Sequence, residues 1–166
     1  MRSLDSWRRI PPARRAMLPT ALAAVALVRA GLRFVPLPAW ERMADRLSAV
    51  RSAHSTAAAT AQDVAWAVRT AGRLIPRASC LTQALAAKLI LSRRGYASRL
   101  GIGVARGPAH GLRAHAWLEV NGLVVVGGSS VEEFTPLLVM PTEHPAKRPA
   151  TPVSRGKLHY LPGEAR

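Results

Sequence analysis

Two runs of alternating apolar residues, Ala114–Val120 and Leu123–Val126, meet at Asn121-Gly122, and that junction constrains the fold more than any other segment. Asn-Gly suits both central positions of a type I′ turn, where φ is positive, so strands joined by it lie antiparallel as a hairpin. Arg99–Val104 reads as a further strand. Upstream the period lengthens. Leu22, Val25, Ala26, Val28 and Leu32 recur at helical spacing, with Thr20 a candidate N-cap after Pro19 and with Pro36 and Pro38 ending the helix. A second helix is expected from Ala39 to Val50, with Trp40, Met43, Leu47 and Val50 on one face. A third is expected over Thr60–Leu74, where Val64, Ala67, Val68 and Ala71 repeat and Trp66 joins the core. After Pro76, Ser79 can cap a helix that begins at Cys80 and runs through Leu81, Ala84, Leu85, Leu89 and Ile90 to a left-handed terminator at Gly95. Helices followed by a central helix and antiparallel strands make an α+β layout.

The 166 residues, 49% of them hydrophobic, suffice for one domain with its own core. A basic arm over 1–16, broken by Pro11 and Pro12, precedes a single domain over 17–140, divided into a helical part (17–75) and a core carrying the chemistry (76–140). A Pro-rich tail over 141–166, irregular from just after Leu138, completes the chain. The lone cysteine, Cys80, excludes an internal disulfide framework and a multi-Cys zinc site, and fits the reducing cytoplasm. His54, His110, His144 and His159 form no ligand spacing, so no metal is expected. Gly101-Ile102-Gly103 lacks the third glycine of a dinucleotide loop and leads into strand, so no nucleotide cofactor is expected either. The net charge of +15 is spread along the chain and accompanied by only 5% aromatics, which argues against nucleic-acid recognition and for a surface that attracts acidic peptides, phosphate or anionic lipid. The most apolar early run, Met17–Val28, falls well short of the ~20 residues that span a bilayer, so no membrane contact is expected.

The chemistry rests on a thiol and an imidazole. Cys80 opens a helix, where outward-pointing N–H groups and the positive end of the dipole favour a thiolate, and Arg77 adds positive charge. Alternation places His115, Trp117 and Glu119 on one face of their strand and Ala116, Leu118 and Val120 on the other. A helix-start cysteine followed by a strand histidine is the arrangement of cysteine nucleophiles: imidazole takes the thiol proton, thiolate attacks a carbonyl, and imidazolium protonates the leaving amine.

Cys80-Leu81, Leu91-Ser92-Arg93-Arg94-Gly95, Leu100-Gly101-Ile102-Gly103-Val104 and Ala114-His115-Ala116-Trp117-Leu118-Glu119-Val120-Asn121-Gly122 together resemble the lasso-peptide leader peptidases. These form the C-terminal domain of the microcin-processing B protein, within the transglutaminase-like superfamily. The likeness covers about Ala65–Leu137. It implies a papain-like cysteine peptidase that removes the leader from a ribosomally made precursor, with Cys80 as nucleophile and His115 as general base. A separate ATP-dependent cyclase would then close the macrolactam. The family's third residue, an Asp about a dozen residues after the His, falls here on Val126-Gly127-Gly128-Ser129, with no carboxylate. Ser129, Glu132 or a backbone carbonyl could hold the imidazole instead. Residues 1–60 lack the strands of a leader-binding module, which implies the split form with a separate leader-recognition protein. Two other outcomes stay open: an acyl transferase working on amines, and an inactive scaffold that only holds the precursor.

Overall fold

The computed structural model describes residues 10–49, 60–107 and 111–141. Over these it is α+β: α1 (Pro12–Gly31), α2 (Leu37–Ala49), α3 (Ala61–Leu74) and α4 (Cys80–Arg93) precede β1 (Ser98–Arg106), β2 (Leu112–Val120), β3 (Leu123–Val126), a 3-10 turn (Gly128–Glu133) and β4 (Thr135–Pro141). The strands form one antiparallel sheet in the order β3-β2-β1-β4.

Helix α4 is the hub. Thr82 and every residue from Ala84 to Ser92 are buried, because α1, α2 and α3 cover it on one side and β1 and β2 on the other. An apolar sequence without a polar stripe is what such a position requires. The sheet meets the helices through Leu100, Ala116, Leu118, Val120 and Val126, and the helices contribute Val25, Val28, Val64, Val68, Leu85 and Leu91 to the same core. The opposite face of the sheet carries a smaller cluster of Trp117, Val124 and Val131, with Phe134 packed against it. Alternation along β2 therefore divides the side chains as its sequence pattern predicts.

Local chemistry sets the boundaries. Thr60 caps α3 by accepting from the Asp63 amide while the Asp63 side chain accepts from the Thr60 amide, a reciprocal capping box. At the end of α4, Tyr96 N–H reaches Leu91 O and Gly95 N–H reaches Ser92 O, both at 3.0 Å. With Gly95 at φ 78, this is a Schellman closure. Asn121 and Gly122 take φ 53 and 79, the positive pair of the expected hairpin turn.

Three expectations need correction. Helix α1 begins at Pro12, not near Thr20, and Pro19 lies inside it. Pro12 at the helix start loses no bond that would otherwise form, and Arg14 Nε fixes the first turn by donating to Asp63 Oδ1 at 2.7 Å. Met17, Leu18, Ala21, Val25 and Val28 then bury one face, which outweighs the single hydrogen bond lost at Pro19. Residues 12–16 are thus helix, and only 1–9 of the basic arm lie outside the described residues. Pro38 sits in the first turn of α2, where proline is tolerated. Finally, the irregular run expected after Leu138 starts inside β4, whose residues 139–141 still pair with β1 at the sheet edge, where Pro136 and Pro141 are tolerated. Residues 142–166, with His144 and His159, lie outside the described residues, as do His54 and His110. Among the described residues no helix is long and apolar enough to cross a membrane, and Met17–Val28 belongs to a core-packed helix.

One charged pair is built into the core. Lys88, with no exposed surface, donates to Glu41 of α2 and, at 3.2 Å, to the Met140 carbonyl of β4. Burial raises the Glu41 pKa, and the Lys88 ammonium only partly opposes it.

Candidate active site

Cys80 occupies the first position of α4, half-buried and packed against the main core. Ser79 caps the helix: its hydroxyl accepts from the Thr82 amide at 3.2 Å and lies 3.0 Å from the Thr82 hydroxyl. This uses one of the free N–H groups of the first turn and leaves others for an anion at the sulfur. Arg77, exposed, enters this turn at φ 60, an uncommon conformation for a residue with a Cβ.

His115 is half-buried on β2. Its Nε2 lies 2.7 Å from the carbonyl oxygen of Gly127, twelve residues on. A carbonyl can only accept, so Nε2 bears the proton, and in the neutral form of such a ring Nδ1 carries the lone pair that a general base needs. The chain thus places a backbone oxygen where the resemblance leads one to expect a carboxylate. Of the candidate orienting groups it is the Gly127 carbonyl that holds the ring; Glu132 is exposed, and the Ser129 side chain lies outside the described residues. Gly127 is at φ 81, and a Cβ there would meet Ala116 O at 2.6 Å and Trp117 Cα at 3.0 Å. Only glycine lets the chain leave β3 so close to β2.

The residues around the imidazole had no sequence signal. Phe134 lies beside it, ring centroids 5.0 Å apart and tilted 31°. The Arg113 guanidinium stands over the Phe134 ring at 5.3 Å and pairs with Glu133 at 2.7 Å. All four approach only because the 3-10 turn brings 133 and 134 back over β2, a long-range contact that no local pattern announces. Glu119 shares the His115 face but accepts from Trp117 Nε1 at 2.8 Å and so orients the indole, not the imidazole. Gly101 is bare because Trp117 covers it: an added Cβ would lie 2.5 Å from the indole Nε1 and closer still to Cε2. Gly101 is clearance for this tryptophan, whereas a Cβ at Gly103 would first meet the Thr135 carbonyl oxygen, at 2.8 Å.

The helix bearing Cys80 packs on the strand bearing His115, so the two elements of the expected pair are neighbours. The side chains themselves are not joined. Helix α4 covers the Ala116, Leu118 and Val120 face, whereas His115 shares its surroundings with Phe134 on the Trp117 side. Among the described residues Cys80 makes no hydrogen bond, to His115 or to any other group. Among the described residues no cluster of three or more His, Cys, Asp and Glu side chains is placed to hold a metal.

A thiol at the start of a buried central helix, and a carbonyl-bonded histidine on the antiparallel sheet it packs against, are elements that cysteine-dependent acyl transfer uses. A family model described as the Transglutaminase-like superfamily matches residues 24–139, more than two thirds of the chain, and the chain belongs to that superfamily. The superfamily is of the cysteine peptidase and acyltransferase type. Comparison with curated proteins and with solved structures returned no match.

Proposed function

We propose that this protein is a cysteine peptidase that removes the leader from a ribosomally made lasso-peptide precursor. The observation that carries the reading is the Ser79-capped Cys80 at the start of the central helix, in a chain of a superfamily of the cysteine peptidase and acyltransferase type. The resemblance over the Cys80-Leu81, Arg93-Arg94-Gly95 and His115-Ala116-Trp117 segments narrows the class to leader peptidases.

In this reading Nδ1 of His115 takes the Cys80 proton, and the sulfur adds to the carbonyl carbon of the scissile bond. The free amides at the start of α4 face the oxyanion. The imidazolium then protonates the departing nitrogen, the C–N bond breaks, and water hydrolyses the thioester with the histidine again as base. The Gly127 carbonyl keeps the ring in the correct tautomer throughout. A neutral acceptor stabilises imidazolium less than a carboxylate does, since charge-assisted hydrogen bonds are roughly twice as strong. The enzyme is therefore slow but competent. A separate leader-recognition protein presents the precursor, an ATP-dependent cyclase closes the ring on the freed amine, and the work is done in the reducing cytoplasm without metal or cofactor.

The test is mass spectrometry of the precursor after incubation with the leader-recognition protein and either the intact chain or Cys80→Ala. Cleavage by the first and none by the second supports the reading; equal cleavage refutes it. The unclosed thiol–imidazole pair favours one competitor, a scaffold that binds the precursor without cutting it, and cleavage by neither protein despite co-purification with the precursor supports that scaffold.

A further inference from the structure

Helices α1 and α2 meet in a turn that is apolar at its tip. Phe34 is 84% exposed, and Val35 and Pro36 beside it are exposed as well. Between Ala16 and Ala30 every exposed residue of α1 is alanine, proline or leucine except Thr20, so the stripe leading to the turn is apolar too, with Leu27 58% exposed. A helix that is apolar on its outer side as well as its core side calls for a second cover. The winding does not stop at Gly31: Leu32 N–H donates to Val28 O, Arg33 N–H to Ala30 O, and the Phe34 and Val35 N–H groups to Gly31 O. Phe34 therefore follows Leu27 by about two turns, on the same side.

The same bonds say what kind of cover fits. From Leu32 to Val35 every backbone N–H is taken within the chain, and Pro36 has none, so the tip enters an apolar medium without stranding a donor. A turn that only meets water is under no such demand. The charge around it has one sign. Residues 6–40 contain arginines and no carboxylate, and Glu41, the first carboxylate after the turn, is paired with the buried Lys88. Arg33 adjoins Phe34, is exposed and makes no ion pair among the described residues; the exposed Arg42 and Arg46 of α2 are likewise unpaired and add to the positive potential. Apolar depth beneath a negatively charged rim meets these features together, and that is the chemistry of an anionic phospholipid bilayer. A second copy of this chain fits less well, because it carries the same +15 and its matching face offers Arg33 no carboxylate. The short apolar run that argues against crossing a bilayer is no bar to lying at its surface.

We propose that the α1–α2 turn and the outer side of α1 dock this protein on the surface of an anionic bilayer, with Phe34, Val35 and Leu27 among the acyl chains and Arg33 at the headgroups. The docking goes beyond the peptidase reading and is measured without turnover. The probe is a vesicle of equal parts phosphatidylglycerol and phosphatidylcholine, with phosphatidylcholine alone as the neutral counterpart, co-sedimented with the full chain at low salt. The chain binds the mixed vesicles about tenfold or more tightly than the neutral ones. Phe34→Ser weakens that binding about tenfold or more, the scale of one large apolar side chain returned to water. Arg33→Gln weakens it about fivefold, the scale of one arginine near an anionic surface. Leu112→Ser, at a comparably exposed apolar position on β2, leaves it unchanged. No binding, equal binding to both vesicles, or an equal loss in Leu112→Ser overturns the docking. So does binding that Phe34→Ser leaves intact in a variant of unaltered melting, which is adsorption by overall charge. A Phe34-dependent dimer that ignores vesicles overturns it too. Precursor cleavage by a chain indifferent to vesicles counts against the docking alone; vesicle binding without cleavage counts against the peptidase reading alone.

Discussion

Gly127→Ala separates two reasons for a glycine and tests how the histidine is held. At φ 81 an alanine costs about 1–2 kcal/mol from backbone sterics. Its Cβ would also stand 2.6 Å from Ala116 O and 3.0 Å from Trp117 Cα, both backbone atoms that cannot rotate away. Forced overpacking of this kind costs a further ~1–3 kcal/mol. Gly122 is the internal control: its φ is 79, yet a Cβ there meets nothing within 4 Å. Gly122→Ala therefore bears the first cost alone, and the loss of unfolded-state freedom is common to both variants and cancels. At roughly 2–4 °C per kcal/mol for a chain of this size, Gly127→Ala melts about 2–12 °C below Gly122→Ala in differential scanning calorimetry. It also loses precursor cleavage while Gly122→Ala keeps it, because the displaced carbonyl no longer orients His115. Equal melting of the two variants would show that the crowding against β2 is absent and that the Gly127 carbonyl is not held where the account needs it.

Other consequences follow from the core and its charges. Glu41→Leu strands the wholly buried Lys88 ammonium and lowers stability by about 3–5 kcal/mol in chemical denaturation, whereas Glu41→Leu combined with Lys88→Met restores most of it; equal losses in both proteins would refute the buried-pair assignment. Burial alone would raise the Asp63 pKa, but hydrogen bonds from Arg14 and Thr60 hold it below its ordinary 3.8. Asp63 therefore stabilises the fold above pH 3.8 and loses that contribution as pH falls through its lowered native value, so the advantage of the parent over Asp63→Asn is full at neutral pH and shrinks in acid. Glu41 has the opposite sign, its native pKa lying above the ordinary 4.5: its contribution is present below 4.5 and is lost as pH rises through the raised value. A pH series of denaturation midpoints in which Asp63→Asn differs from the parent equally at every pH contradicts the Asp63 account. Trp117→Ala empties the space over Gly101 and costs about 3–5 kcal/mol, visible as a large loss of melting temperature; a normal melt would contradict its place in the smaller core.

The fold was legible wherever local chemistry is decisive. The Asn121-Gly122 turn, the Ser79 cap, the Gly95 terminator and the faces of α3 and β2 all appear as the residues dictate, because each depends on neighbours within a few positions. Misreadings arose where burial overrode a local signal. Pro19 marks a helix boundary by its own chemistry, but five buried apolar residues carry the helix across it. β4 has no alternation to read, since Leu137, Leu138 and Val139 are all exposed on an edge strand. The candidate site was legible in part: Cys80 and His115 stand out by residue type and position, whereas Phe134, Arg113 and the Gly127 carbonyl reach the imidazole by tertiary packing, and a backbone oxygen has no residue letter to find.

The account centres on cooperation between one sulfur and one imidazole, and because Cys80 is the chain's single cysteine, whole-protein alkylation reports on that sulfur alone. The rate of iodoacetamide addition at neutral pH, followed by intact mass for the parent and for His115→Ala, tests it directly. Removing the imidazole is expected to slow alkylation by about tenfold or more, because a thiol without a positioned base is only a few per cent thiolate at neutral pH. Identical rates in the two proteins, with the fold of His115→Ala intact, would contradict it.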